Sequence, residues 1–166
     1  MKIVTRRLLV RTLEFDDWPA LKRIARDFQA SQYRYFDREM PVDDAGAQSA
    51  ARYAASTGMW FSVCLGGEMI GYVCFHEENG AMDVGYGFHS SAHGFGYAFE
   101  SISALLELLA SVGVRRFSAG TALANAPSVR LLERLGFCLT GTEEVCFWEG
   151  HPFTGGMFTL EVPSLR

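Results

Sequence analysis

Hydrophobic and polar positions along the chain change rhythm several times. Residues 7–13 (RLLVRTL) read as a strand, and Asp16 or Asp17 then suits a helix N-cap with Pro19 in the first turn. Trp18, Leu21, Ile24, Ala25 and Phe28 follow at helical spacing. The stretch SQYRYFDREMPVD, residues 31–43, is irregular and aromatic, and a second helix is predicted from Asp43 or Asp44 through Ala54. The rhythm then shifts to period two. Trp60–Leu65, residues 68–75 and Ala81–Phe88 predict an antiparallel meander, turned at Gly66-Gly67 and at Glu78-Asn79-Gly80. Residues 98–111 return to helical spacing, with Phe99, Ile102, Leu105, Leu106 and Leu109 on one face and Gly113 as the stop. A short strand over 115–119, a helix over 125–135 ended by Gly136, and strands over 137–148 and 157–162 complete the pattern. Neither a repeat nor a linker interrupts it, so one mixed α/β domain over residues 1–166 is expected.

Composition narrows the function classes. The net charge is −4, and the local basic runs RRLLVR and GVRRF alternate with apolar residues as strand faces do, so a nucleic-acid footprint is not expected. No apolar stretch reaches membrane-spanning length and the N-terminus lacks a secretory pattern, which predicts a soluble cytoplasmic protein. Cys64, Cys74, Cys138 and Cys146 form no C-x-x-C pair and have no histidine at metal-ligand spacing. Each lies in an apolar strand-like run, so all four read as reduced structural residues, and no metal site is expected.

The stretch HGFGYAFE, from His93 to Glu100, carries the first chemistry. A glycine turn that opens a helix leaves first-turn amides without acceptors at the positive end of the helix dipole. An anion can bind there without a lysine if the backbone can come close, and Gly94 and Gly96 remove the obstructing side chains. A nucleoside-triphosphate loop would require a Gly-Lys-Ser/Thr ending that is missing, and a dinucleotide fingerprint would belong after the first strand rather than after a meander. The diphosphate of coenzyme A remains, alongside a purely structural turn. A second block, NAPSVRLLERLGF, opens another helix, with Asn125 as N-cap, Pro127 and Ser128 in the first turn, and Val129, Leu132 and Leu135 facing the core.

Together these blocks resemble the GCN5-related N-acetyltransferases, and within them the branch of ribosomal-protein N-terminal acetyltransferases. TRRLLVRTLEFDDWPAL resembles that branch's opening strand and first helix, MIGYVCF and DVGYGFH its third and fourth strands, and HGFGYAFE its pyrophosphate loop. NAPSVRLLERLGF resembles its late Asn-Ser helix. At the loop, His93, Gly96 and Ala98 take the three signature places. His93 departs from the usual Arg or Gln, Phe95 stands where lysine is common, and Phe99 where threonine is common.

The resemblance implies an α+β fold, with a mostly antiparallel sheet of roughly seven strands flanked by about four helices. It implies direct acetyl transfer from acetyl-CoA to a primary amine, a protein N-terminus or a small amine, without a metal. Cofactor binding would fall to Phe88, His93, Gly94, Phe95, Gly96, Tyr97, Ala98 and Asn125. Phe88 would pair with the pantetheine arm, Gly87 could bulge beside it, and a main-chain amide there could serve the acetyl oxygen. Ser128 would protonate the leaving sulfur and Asn125 would position the pantetheine or the acceptor. Glu149 is the first choice for the base, with Asp83 and His151 as alternatives. Tyr33, Tyr35, Phe36, Trp60, Trp148 and Phe153, with Asp37 and Glu39, would line the acceptor channel or simply fill a core. A homodimer is common among look-alikes. A catalytically silent acyl-CoA-binding regulatory module is the competing reading.

Overall fold

The computed structural model describes residues 1–163. Eight strands form one sheet: β1 (Lys2–Val4), β2 (Leu9–Thr12), β3 (Trp60–Leu65), β4 (Glu68–Glu78), β5 (Ala81–Phe88), β6 (Arg116–Ala122), β7 (Cys138–Val145) and β8 (Phe153–Glu161). Four helices accompany them: α1 (Trp18–Gln29), α2 (Asp44–Thr57), α3 (Tyr97–Ser111) and α4 (Ala126–Arg134). The sheet order is β1-β2-β3-β4-β5-β6-β8-β7, and every neighbouring pair is antiparallel except β5–β6. The expected meander is β3-β4-β5, and its Gly66-Gly67 turn forms with positive φ at both glycines.

The extra strand is β1. Its Lys-Ile-Val is too short and too exposed to leave a periodic signature. The predicted strand over 137–148 stops at Val145, so Glu149 lies in the connection to β8 rather than at a strand end. Asp17 occupies the N-cap of α1, but its carboxylate makes no cap hydrogen bond to that helix. It accepts instead from Arg11 Nη1 and Nη2 (2.7 and 2.6 Å), Ser62 Oγ (2.8 Å) and the Glu14 amide (2.9 Å).

Burial divides into two clusters, one on each side of the sheet. Val73, Phe75, Val84, Ile102, Leu105, Phe117, Leu132 and Phe158 belong to the larger, with α3 and α4. Leu13, Leu21, Ile24, Ala51, Cys64 and Tyr72 belong to the smaller, with α1 and α2. The four cysteines are all unpaired, yet only Cys64 is buried. Cys138 and Cys146 are exposed, which corrects the reading of all four as structural residues in apolar runs. Gly87 does not bulge: the β4–β5 register runs unbroken through Tyr72↔Gly87. A Cβ there would stand 2.7 Å from Cε1 of Tyr72, so this glycine makes room for a cross-strand ring. No helix among the described residues is long and apolar enough to cross a membrane.

Candidate active site

The parallel pair β5–β6 is in register only at Met82↔Phe117 and Asp83↔Ser118. Beyond that point β5 continues to Phe88 and β6 to Ala122 with no ladder between them, so the sheet splits into a V. The Asp83 carboxylate accepts from Ser118 Oγ at 2.8 Å and closes the apex. The His89 amide donates to Ile70 O, which makes odd-numbered β5 residues the ones bonded to β4. By strand alternation the main-chain groups of Tyr86 and Phe88 therefore face the V. Phe88 stands where the resemblance requires a strand-pairing partner.

Past β5 the chain makes a short helical turn at Ser90–Ala92 and reaches the glycine loop. Gly94 (φ +82°) and Gly96 (φ +80°) are both left-handed, and Gly96 is the N-cap of α3. Side chains rarely adopt that angle, so glycine is required by conformation. Among the described residues, no protein acceptor takes the amides of Gly94, Phe95, Gly96, Tyr97, Ala98 or Phe99. The next amide, of Glu100, is bonded to Gly96 O at 3.0 Å. A consecutive run of uncommitted donors thus lies at the positive end of a 15-residue helix.

The loop side chains bring no cation toward these donors. His93 Nε2–H donates to Phe88 O at 2.9 Å, which turns the imidazole back onto β5. The Phe95 ring is exposed and stacks on Tyr97 at 5.6 Å between centroids. Asp27 of α1 anchors the start of the segment, accepting from the Ser90 amide (2.8 Å) and Ser90 Oγ (2.6 Å). Burial alone would raise the Asp27 carboxyl, but the Ser90 bonds and nearby histidines hold it below the usual range.

On the far wall, Asn125 caps α4 as the sequence suggests, with Oδ1 accepting from the Ser128 amide at 3.4 Å. Ser128 Oγ lies 2.7 Å from Tyr86 Oη. Burial pushes the Tyr86 phenol up to about 12, against the pull of this hydrogen bond. Tyr86 is not singled out in the sequence, nor is Asp27. The signal for Tyr86 was the alternation of β5, which gives Tyr86 and Phe88 the same phase.

The opposite side of β5 carries the acceptor-side candidates. The ring of Tyr35 stacks on His151 (3.6 Å, 4° between planes) and meets Trp148 edge-on at 6.0 Å. Phe36 packs on Phe153 at 5.2 Å, and Trp148 Nε1–H donates to Asp37 O at 2.8 Å. The irregular 31–43 stretch is thus gathered onto the β7–β8 connection. Trp60 does not join it; its ring stacks on Tyr72 in the smaller core cluster. Tyr35, Trp148, Glu149 and His151, with Gln29 and Arg34, line a cavity of about 440 Å³. Glu149 is exposed at its rim. Asp37 is exposed as a residue, yet desolvation raises its carboxyl above the ordinary value, and its charge in turn helps raise Tyr72 and Cys74 of β4. Burial also raises Asp83.

His89 Nε2 is 3.7 Å from Asp27, and His76 Nε2 is 3.6 and 3.7 Å from Glu78 and Asp83. This last trio sits on the β4–β5 hairpin, with His76 directly opposite Asp83.

A family model described as an acetyltransferase (GNAT) domain matches residues 7–138. A Bacillus subtilis protein named as an uncharacterized N-acetyltransferase, YnaD, is 26% identical over 156 residues, covering 91% of each chain. Among solved structures, a GNAT-family acetyltransferase from Bacillus anthracis superposes with a TM-score of 0.86 at 23% identity, covering 97% of this chain and 98% of that one. A structure named as RimL, a ribosomal L7/L12 alpha-N-protein acetyltransferase in complex with coenzyme A, has a TM-score of 0.86 at 21% identity and covers 98% of both chains. These structural likenesses establish the fold.

Proposed function

The chain belongs to the GNAT acetyltransferase family, and we propose that it uses acetyl-CoA to acetylate a primary amine across the β5–β6 split. The observation that carries this reading is the run of six uncommitted amides, Gly94 to Phe99, at the mouth of that split. A diphosphate is the hard, oxygen-rich anion that such donors suit, so the residues present fit the cofactor. A neighbour of the same fold named with coenzyme A in complex supports the same ligand.

When bound, acetyl-CoA supplies an activated thioester carbonyl. The amides of Gly94 to Phe99 would hold the diphosphate end, and the outward main chain of Phe88 and Tyr86 would pair with the arm; the His93 amide, expected to join them, is instead committed to Ser90 O at 3.0 Å. A main-chain amide there, directed at the acetyl oxygen, is worth ~3 kcal/mol in a dry site. The partly buried Tyr86 phenol stays protonated at neutral pH, and in this reading it is the donor of the hydrogen bond it shares with Ser128 Oγ. Ser128 then has its own hydrogen free to give to the departing sulfur, and Asn125 fixes the turn that carries it.

The amine enters from the α1–α2 side, between the aromatic walls of Tyr35, Trp148 and His151. Asp37 is the base we favour over Glu149. Both residues are exposed, but desolvation raises the Asp37 carboxyl, which lies close enough to Tyr72 and Cys74 of β4 to raise them in turn, whereas Glu149 stands at the cavity rim, suited to drawing in a cationic amine. A protein N-terminus fits this mouth, as does a small amine, and the neighbour named for a ribosomal-protein N-terminus supports the former. The four unpaired cysteines agree with a cytoplasmic enzyme, and the net charge of −4 with an acceptor other than nucleic acid. A homodimer is part of the same reading.

The test has two steps. Acetyl-CoA at ~100 times its Kd should stabilise the fold by ~2.7 kcal/mol, while ATP and NAD leave it unchanged. Free thiol should then appear with a panel of N-terminal peptides and small amines. Stabilisation without turnover on any amine would instead identify a silent acyl-CoA-binding module.

A further inference from the structure

We propose that Arg7, from the turn between β1 and β2, is the positioning residue of the glycine loop, gripping the Phe95 carbonyl and so aiming the Gly96 amide at the diphosphate. The inference rests on the cofactor reading above. Arg7 Nη1 donates to Phe95 O at 2.9 Å, and its guanidinium lies 4.6 Å over the Tyr97 ring. Its Nε donates to Glu100 Oε2 at 2.7 Å, and its Nη2 approaches the same oxygen at 2.7 Å. The other carboxylate oxygen accepts from the Arg7 amide (2.9 Å) and Thr5 Oγ (2.6 Å). One turn at residues 5–7 thus holds both the last loop carbonyl before Gly96 and the first turn of α3.

A planar trans peptide makes this grip directional. The Phe95 carbonyl and the Gly96 N–H belong to one rigid unit and point in opposite directions. Holding the oxygen on the Arg7 side fixes the hydrogen on the other side. A cation on the carbonyl also polarises the unit and strengthens its N–H as a donor. Both neighbouring glycines are conformationally permissive, so without a grip this peptide would be free to rotate.

Orientation rather than added charge is the larger effect. Arg7 is balanced by Glu100, so the pair brings little net charge to the loop. Nor do the loop's own side chains substitute for it, because His93 is bonded to Phe88 O and Phe95 is an apolar ring on Tyr97. The sequence departs from the usual basic signature at both of those positions, and the grip comes instead from a residue 88 positions away.

The experiment compares acetyl-CoA with S-acetylpantetheine, which has the same thioester arm and no diphosphate. Calorimetric titration of the wild type, Arg7→Ala and Arg7→Lys is read alongside their melting temperatures without ligand. Arg7→Ala should weaken acetyl-CoA about tenfold and S-acetylpantetheine by less than about twofold. In turnover, KM for acetyl-CoA should rise by the same factor of about ten with kcat at saturation nearly unchanged. Arg7→Lys, a point charge without the planar fork, should stay at least about threefold weaker than wild type, and it carries the comparison if Arg7→Ala does not fold. Equal weakening of both ligands, or of neither, would mean that Arg7 only braces the fold, and would overturn the inference while leaving the cofactor reading intact. A wild type that binds no acetyl-CoA would remove both.

Discussion

On the α3–α4 side of β5, the groups offered to a ligand are mostly main chain: the amides of residues 94–99 and the outward face of Tyr86 and Phe88, with the Ser128 hydroxyl added. On the α1–α2 side they are side chains, Asp37, Tyr35, Trp148, Glu149 and His151, with Trp148 reaching Asp37 across 111 positions of sequence. A main-chain site depends on backbone angles and survives changes such as His93 and Phe95, because the donors stay. A side-chain site changes its chemistry with each substitution. The first suits a cofactor shared by a whole family, and the second suits an acceptor that differs from one member to the next.

The largest expected effect tests whether the acceptor half can be disturbed without touching the donor half. Asp17 is buried beneath the start of α1 and accepts four hydrogen bonds, two of them from Arg11. Asp17→Asn should cost ~3 kcal/mol in chemical denaturation, because it strands the Arg11 guanidinium. The affinity of the folded fraction for acetyl-CoA should be unchanged. Burial alone would raise the Asp17 carboxyl, but Arg11, Glu14 and Ser62 outweigh it and hold it below the usual range. A group depressed on folding stabilises the native state fully above its unfolded value. That contribution should fade as pH falls through the lower folded value, and the Asn variant should lack this slope.

Next in size is Gly96→Val, which forces a branched side chain into a left-handed angle at the N-cap of α3. Acetyl-CoA should bind about a hundredfold more weakly, ~2.7 kcal/mol, with acceptor KM little altered. Ser128→Ala should lower kcat about thirtyfold, ~2 kcal/mol, while acetyl-CoA affinity stays within about twofold. Asp37→Asn sharpens the other half. The base works as a carboxylate, so wild-type activity should fall as pH drops through the raised Asp37 value. The variant should lose about tenfold in kcat together with that acid limb, whereas Glu149→Gln should keep the limb. The smallest effect is Tyr86→Phe, which removes the donor to Ser128 and should cost about threefold in kcat.

The two halves also differ in how much of them could be read in the chain. The donor half is contiguous. Gly94 and Gly96 precede an apolar helix, and Asn125 and Ser128 open the next, so spacing alone located both helix mouths. The β3-β4-β5 meander before them followed from glycine turns and period two, although three-residue β1 escaped notice. The acceptor half depends on tertiary contact. Nothing local says that Tyr35 stacks on His151 or that Trp148 bonds Asp37 O. Desolvation likewise leaves no trace in sequence, so there Glu149 is the first choice for the base and Asp37 only a channel acid, although desolvation raises the Asp37 carboxyl. Tyr86 fell between these cases: its phase along β5 was readable, but its partner Ser128 lies 42 positions away.

The most direct measurement is a backbone amide NMR titration with coenzyme A. A main-chain cradle for the diphosphate requires the largest shifts at the amides of residues 94–99, with smaller ones at Tyr86, Phe88 and Ser128. Saturable shifts confined to other parts of the molecule, with the Gly94 and Gly96 signals unmoved, would contradict it.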